Sequence, residues 1–113
     1  MPHIVVEASR NDKNIIEELK LVEKLHLSLA HDIDISKIKS RSIYSEESIV
    51  GESKSCHFIH VTISLLSGRT ELIRQQLGGR LFKVLSESIK NKLDFKTSIS
   101  LEVREMNSNT YFK

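Results

Sequence analysis

The sequence of 113 residues predicts an α/β (α+β) fold in which two strand-helix-strand units form one four-stranded sheet, with both long helices on the same face. Three observations carry that expectation. Four short segments alternate or concentrate apolar residues as strands do. Two longer segments repeat them every three or four residues, as amphipathic helices do. The order strand, helix, strand then occurs twice over similar lengths, opening on HIVVEAS and on HVTISLLSG. A crossover of that length permits parallel pairing and is right-handed, which places both helices on one side of the sheet.

His3 to Ser9 is short and rich in Ile and Val, and it ends in the polar cluster Ser9-Arg10-Asn11-Asp12, so it reads as the first strand. From Lys13 to His31 the apolar positions Ile15, Leu19, Val22, Leu25 (or His26) and Leu29 trace a helical stripe, with Asn11 or Asp12 as its cap. Ile38 to Tyr44 reads as a second, partly buried strand, followed by the polar connection SEESIVGESKS. Cys56 to Leu66 alternates cleanly. His57, Ile59, Val61, Ile63 and Leu65 form its core face, and Phe58, His60, Thr62 and Ser64 face the other way.

Ser67-Gly68 breaks that strand. Thr70 to Lys92 repeats Ile73, Leu77, Leu81, Leu85 and Ile89 every four residues, with Phe82 and Val84 widening the stripe into a second long helix. Gly78-Gly79 lowers helix propensity there, and the pair marks a close approach to a strand. Phe95, Thr97, Ile99, Leu101 and Val103 alternate with polar residues as a fourth strand. The sheet face opposite the helices then carries Phe58, His60 and Thr62. That mixture is too apolar for easy solvation and too polar for a core, and burial against other copies of the chain resolves the conflict.

Length allows one domain, residues 1–113, because a second core would leave each half too small to stabilise itself. The net charge of +2 arises from 17 basic and 15 acidic residues spread along the chain, so no nucleic-acid footprint is present. Cys56 is the only cysteine, which excludes an intrachain disulfide and a thiolate metal set. His26 and His31 lack the i, i+4 spacing of a helical metal pair, so no metal is expected. The opening MPHIVVEASRND lacks the features of a secretory signal, and no run is long enough to span a membrane. The expectation is a soluble, cytoplasmic protein with no membrane partner.

Five stretches give the sequence a resemblance: PHIVVEAS at the start, IKSRS at Ile38 to Ser42, HVTISLLSGR at His60 to Arg69, RQQLGGRLF at Arg74 to Phe82, and SLEVREM at Ser100 to Met106. In this order and spacing they resemble the 5-carboxymethyl-2-hydroxymuconate isomerase family of the tautomerase superfamily. The resemblance implies a tautomerase fold assembled as a homotrimer. It also implies a cofactor-independent ketonisation of a small unsaturated carboxylate, a dienol from aromatic-compound catabolism, at a site around Pro2 near a subunit boundary.

The chemistry behind that implication is simple. Moving a proton from an enol oxygen to carbon needs a base that takes the proton and returns it, with a pKa near the working pH. The secondary amine of Pro2 qualifies once Met1 is removed, because an acylated proline nitrogen has no useful basicity, and an apolar pocket or nearby cations favour its neutral form. Carboxylates on the substrate call for cations. Arg69, in the turn after the central strand, and Lys39 and Arg41, in the IKSRS strand, are the candidates. Lys39 stands where the family typically has arginine; it keeps the charge and loses the planar fork.

His3 and His60 read as structural residues, and Glu7 or Glu102 as salt-bridge partners of the interface. Two other functions remain open at the level of sequence. One is a tautomerase-fold protein with another Pro2-dependent reaction, such as hydration or phenylpyruvate-type tautomerisation. The other is a non-catalytic oligomeric binding module.

Overall fold

The computed structural model describes residues 2–54, 57–90, 92 and 97–113. In chain order the elements are β1 (His3–Ser9), α1 (Lys13–Glu18), α2 (Leu21–Leu29), β2 (Lys39–Ser45), β3 (Phe58–Leu66), α3 (Glu71–Ile89) and β4 (Ser98–Met106). The strands form one four-stranded sheet in the order β2-β1-β3-β4. β1 pairs in parallel with β2 and β3 with β4, and the antiparallel β1–β3 pairing joins the two halves. This is the duplicated strand-helix-strand architecture expected from the sequence.

Strand alternation decides which residues enter the core. Ile4, Val6 and Ala8 of β1 and Ile59, Val61, Ile63 and Leu65 of β3 are buried toward the helices, against Leu21, Leu25 and Leu29 of α2 and Leu77, Leu81 and Leu85 of α3. Burying one Leu or Ile side chain contributes roughly 1.5–3 kcal/mol, so this stripe dominates the stability of the sheet-helix layer. The opposite face carries His3, Val5 and Glu7 of β1, in register with Lys39, Arg41 and Ile43 of β2 and with Ser64, Thr62 and His60 of β3. Ile43 is 51% exposed there, while Phe58 and His60 are only partly covered.

The first helix departs from its sequence reading. Periodicity runs unbroken from Lys13 to His31, but the chain breaks at Lys20, which takes a left-handed φ of 54°. The residues fully buried are Ile16, Leu21, Leu25 and Leu29, with Ile15, Leu19 and Val22 packed at the margin. Ile16 and Leu21 are five apart, a spacing that a continuous helix places on different sides. The break turns both toward the sheet.

α3 is capped by Thr70, whose hydroxyl accepts from the Ile73 N–H at 3.2 Å. Ile73, expected in the core stripe, is instead exposed, as is Phe82 at the rim of the helix. The expected strand starts at Cys56 and Phe95 lie outside the described residues. Among the described residues no helix is long and apolar enough to cross a membrane.

The two glycines of α3 have different reasons to be there. A Cβ on Gly78 would stand 2.9 Å from Cγ2 of Val103 on β4, whereas one on Gly79 would meet nothing within 4 Å. Gly78 therefore lets the helix approach β4, and valine's stiff χ1 gives little room to yield. Gly78→Ala should destabilise the protein by about 1–3 kcal/mol, and Gly79→Ala should stabilise it by about 0.5–1 kcal/mol. Urea unfolding of the two variants gives opposite shifts in midpoint if this packing is right, and shifts of the same sign if it is not.

Candidate active site

Pro2 precedes β1 and is buried, with its C=O accepting from the Lys39 N–H at 3.0 Å. It borders a cleft of about 340 Å³ whose apolar wall is Ile33, Leu65 and Leu66. The same cleft is lined by five charged residues, Asp32, Asp34, Lys37, Arg69 and Lys113. Leu65 is there because antiparallel pairing sets His3 opposite Ser64, which puts the position before His3 beside the end of β3.

Arg69 arrives from the turn after β3. Gly68 has φ 127°, a conformation that other residues rarely adopt, and the turn it makes sets Arg69 against the cleft rather than along the strand. The two acids of the cleft are engaged elsewhere. Asp32 pairs with Arg80 at 2.5 Å, and Asp34 accepts from the Ser36 N–H at 3.0 Å and the Ser36 hydroxyl at 2.9 Å. Those bonds, the backbone one first, hold the Asp34 carboxyl below its ordinary pKa. Among the described residues, Arg69, Lys37 and Lys113 enter no ion pair. The charge of Lys37 acts on Asp34, so the cleft joins an apolar wall to two further cations, Arg69 and Lys113.

Lys39 and Arg41 are not in this cleft. Parallel register aligns them with His3 and Val5, so alternation sends their side chains to the open face, away from Leu65. Arg41 lies 3.2 Å from Nδ1 of His3, and since a guanidinium only donates, that nitrogen accepts. His3 is therefore the neutral tautomer whose Nε2–H donates to the Tyr111 hydroxyl at 2.8 Å. Burial, then the charges of Arg41 and Lys39, lowers its pKa below the ordinary value of 6.5.

The sign of the pH effect follows. Above about pH 6.5 His3 is neutral in both folded and unfolded chains. As pH falls, the unfolded chain takes up a proton first, so stability is lost from there down through the lower folded pKa. An NMR titration of His3 should have its midpoint below 6.5; a midpoint above that value would contradict the Arg41 contact.

The model of one family, 5-carboxymethyl-2-hydroxymuconate isomerase, matches residues 2–113. The chain belongs to this family. It is accordingly an isomerase, and its fold is that of solved tautomerase-superfamily structures. A 5-carboxymethyl-2-hydroxymuconate isomerase from Deinococcus radiodurans R1 is 23% identical, with a TM-score of 0.79 over 99% of this chain and 87% of that one. A 5-carboxymethyl-2-hydroxymuconate delta-isomerase is 13% identical, with a TM-score of 0.83 over 100% and 87%. A macrophage migration inhibitory factor-like protein from Entamoeba histolytica is 18% identical, with a TM-score of 0.70 over 99% and 94%. No curated protein matches the chain.

Other side chains of this isomerase-family chain have structural roles. Asp12 is buried and accepts from the Ser9 hydroxyl and pairs with His57, both at 2.7 Å, which closes the end of β1 onto the start of β3. His60 Nδ1 lies 2.6 Å from the Ser100 hydroxyl across the β3–β4 pair, and Glu102 accepts from Arg104 at 2.9 Å. A larger hollow of about 500 Å³ lies between α2 and β2, but Pro2 does not line it, and its His26 and Ser40 already bond each other at 2.7 Å. Among the described residues no group of three or more His, Cys, Asp or Glu side chains is placed to share a metal ion.

Lys37 and Lys113 are the cleft cations that sequence reasoning missed, and Asp32, Ile33 and Asp34 of its lining were missed with them. Lys37 closes the 3-10 turn Ile35–Lys37 before β2, where strand alternation does not apply, so the parity of Lys39 does not place it. Lys113 carries no signal either, because its place depends on how the C-terminal segment returns across the sheet edge.

Proposed function

We propose that the chain ketonises an unsaturated dienol carboxylate of the 5-carboxymethyl-2-hydroxymuconate type, with the amine of Pro2, freed by removal of Met1, as general base. Met1 lies outside the described residues. The observation that carries the reading is the burial of Pro2 beside Leu65 in a cleft that also receives Arg69. An apolar wall and unpaired cations both disfavour a protonated amine, which keeps the base neutral at neutral pH. The amine takes the proton of the 2-hydroxyl; the O–H electrons form the carbonyl, and the conjugated double bond shifts. The ammonium then returns its proton to the terminal carbon of the shifted system.

Arg69 meets the carboxylate beside the developing enolate, where a guanidinium fork binds both oxygens. Lys39 and Arg41 serve from the open face, reaching the cleft of an adjacent copy in a homotrimer. Support for that assembly comes from similar fused 4-OT structures, which are described as trimers, and from the half-covered Phe58 and exposed Ile43 of the face that would be enclosed. A single unit over residues 1–113 working in aromatic-compound catabolism in the cytoplasm completes the proposal.

The test is a spectrophotometric assay of 2-hydroxymuconate ketonisation by protein whose mature N-terminus is verified as Pro2. Activity that disappears when the N-terminus is extended by a tag supports the reading. Activity indifferent to such an extension overturns it.

A further inference from the structure

The segment after β4 leaves the sheet yet returns to the cleft. Its start is fastened to the turn that carries Arg69: the Ser67 N–H donates to the Met106 C=O at 2.9 Å, and the Ser108 N–H donates to the Ser67 hydroxyl at 3.3 Å. Asn107 then reverses the chain, its side-chain oxygen accepting from the Asn109 N–H at 2.9 Å and its C=O from the Thr110 N–H at 3.1 Å. Tyr111 is held by His3, the residue after Pro2, through the 2.8 Å hydrogen bond and an edge-on ring contact at 6.0 Å. Beyond it Lys113 lines the cleft.

This arm is held by polar bonds rather than by apolar burial, since Phe112 is 89% exposed. It therefore links the two elements that present Pro2 and Arg69, and it brings Lys113 to the cleft they border. We propose that residues 107–113 form a positioning arm, and that Lys113 makes the cleft prefer substrates with a second carboxylate remote from the reacting end. The inference rests on the proposed function of the same cleft. Its physical basis is that Asp32 is paired with Arg80 and the Asp34 carboxylate is faced by Lys37, which leaves Lys113 and Arg69 as the cleft cations to meet an entering carboxylate. A lysine suits that task, because its flexible stem can follow carboxylates at different distances.

The experiment compares 2-hydroxymuconate, a dicarboxylate, with the enol of phenylpyruvate, a monocarboxylate, in four proteins with a verified Pro2 terminus. Lys113→Ala should lower kcat/KM for the dicarboxylate about fivefold more than for the monocarboxylate, the scale of one exposed ion pair, with that difference carried by KM. Lys113→Arg should restore the wild-type ratio of the two substrates, and Tyr111→Phe, which loses only the bond to His3, should shift the ratio in the direction of Lys113→Ala. An equal change for both substrates, or no change in their ratio, would overturn the inference. The two failures separate cleanly: activity that does not depend on Pro2 defeats the proposed function, whereas Pro2-dependent activity with an unmoved substrate ratio in Lys113→Ala defeats only the role of the arm.

Discussion

Pro2→Ala, correctly processed, should lose most of the ketonisation rate, with kcat lower by about 100- to 10,000-fold, the range that a positioned general base supplies. Alanine at this position still permits removal of Met1, so the variant keeps an N-terminal amine and falls nearer the small end of that range. What it loses is the secondary amine and the ring, which is buried at the entry to β1. The Lys39 N–H bond goes to the backbone C=O of residue 2, so it survives the change and the strand register is preserved. Unchanged circular dichroism beside a collapsed kcat assigns the loss to chemistry. An unchanged kcat removes Pro2 from its role.

Arg69→Ala is expected to have the second largest effect, a fall in kcat/KM of about 100-fold. Removing one charged donor from a developing anion typically costs that much or more. Arg69 is in no ion pair among the described residues, so its loss should leave the urea midpoint close to that of the parent. Arg69→Lys keeps the charge without the bidentate fork and should fall between the two, with a loss of roughly tenfold. Steady-state kinetics on the three proteins checks the order; a lysine variant as poor as alanine would mean that shape rather than charge is what the cleft uses.

The fold is written plainly in this sequence because its strands alternate without interruption. Ile59, Val61, Ile63 and Leu65 are all buried, and no register shifted by one residue would keep them so. The break at Lys20 is not legible, because Ile15, Leu19 and Val22 mimic a continuous stripe while the core actually selects Ile16 and Leu21. Gly78 was readable as a point of close approach, and the approach is to Val103. Within the cleft, Arg69 follows from the position of Ser67-Gly68 after a strong strand.

Lys39 and Arg41 show the limit. Their charge and their place in a strand are legible, but the face they take depends on which residue of β1 they pair with, and register with His3 and Val5 sends them away from Leu65. Lys113 depends on a turn at Asn107 and a bond between His3 and Tyr111, contacts between residues 108 positions apart that no local pattern announces.

The central claim is that the cleft makes the Pro2 nitrogen a neutral base at physiological pH. Titration of that nitrogen by ¹⁵N NMR in processed protein tests it most directly. The apolar wall and the cations of Arg69 and Lys113, with Asp32 paired to Arg80 and Asp34 faced by Lys37, predict a pKa below the ordinary α-amino range of roughly 7.7–8.0. A pKa at or above that range would mean that the cleft does not tune the amine, and would contradict Pro2 as the resting base.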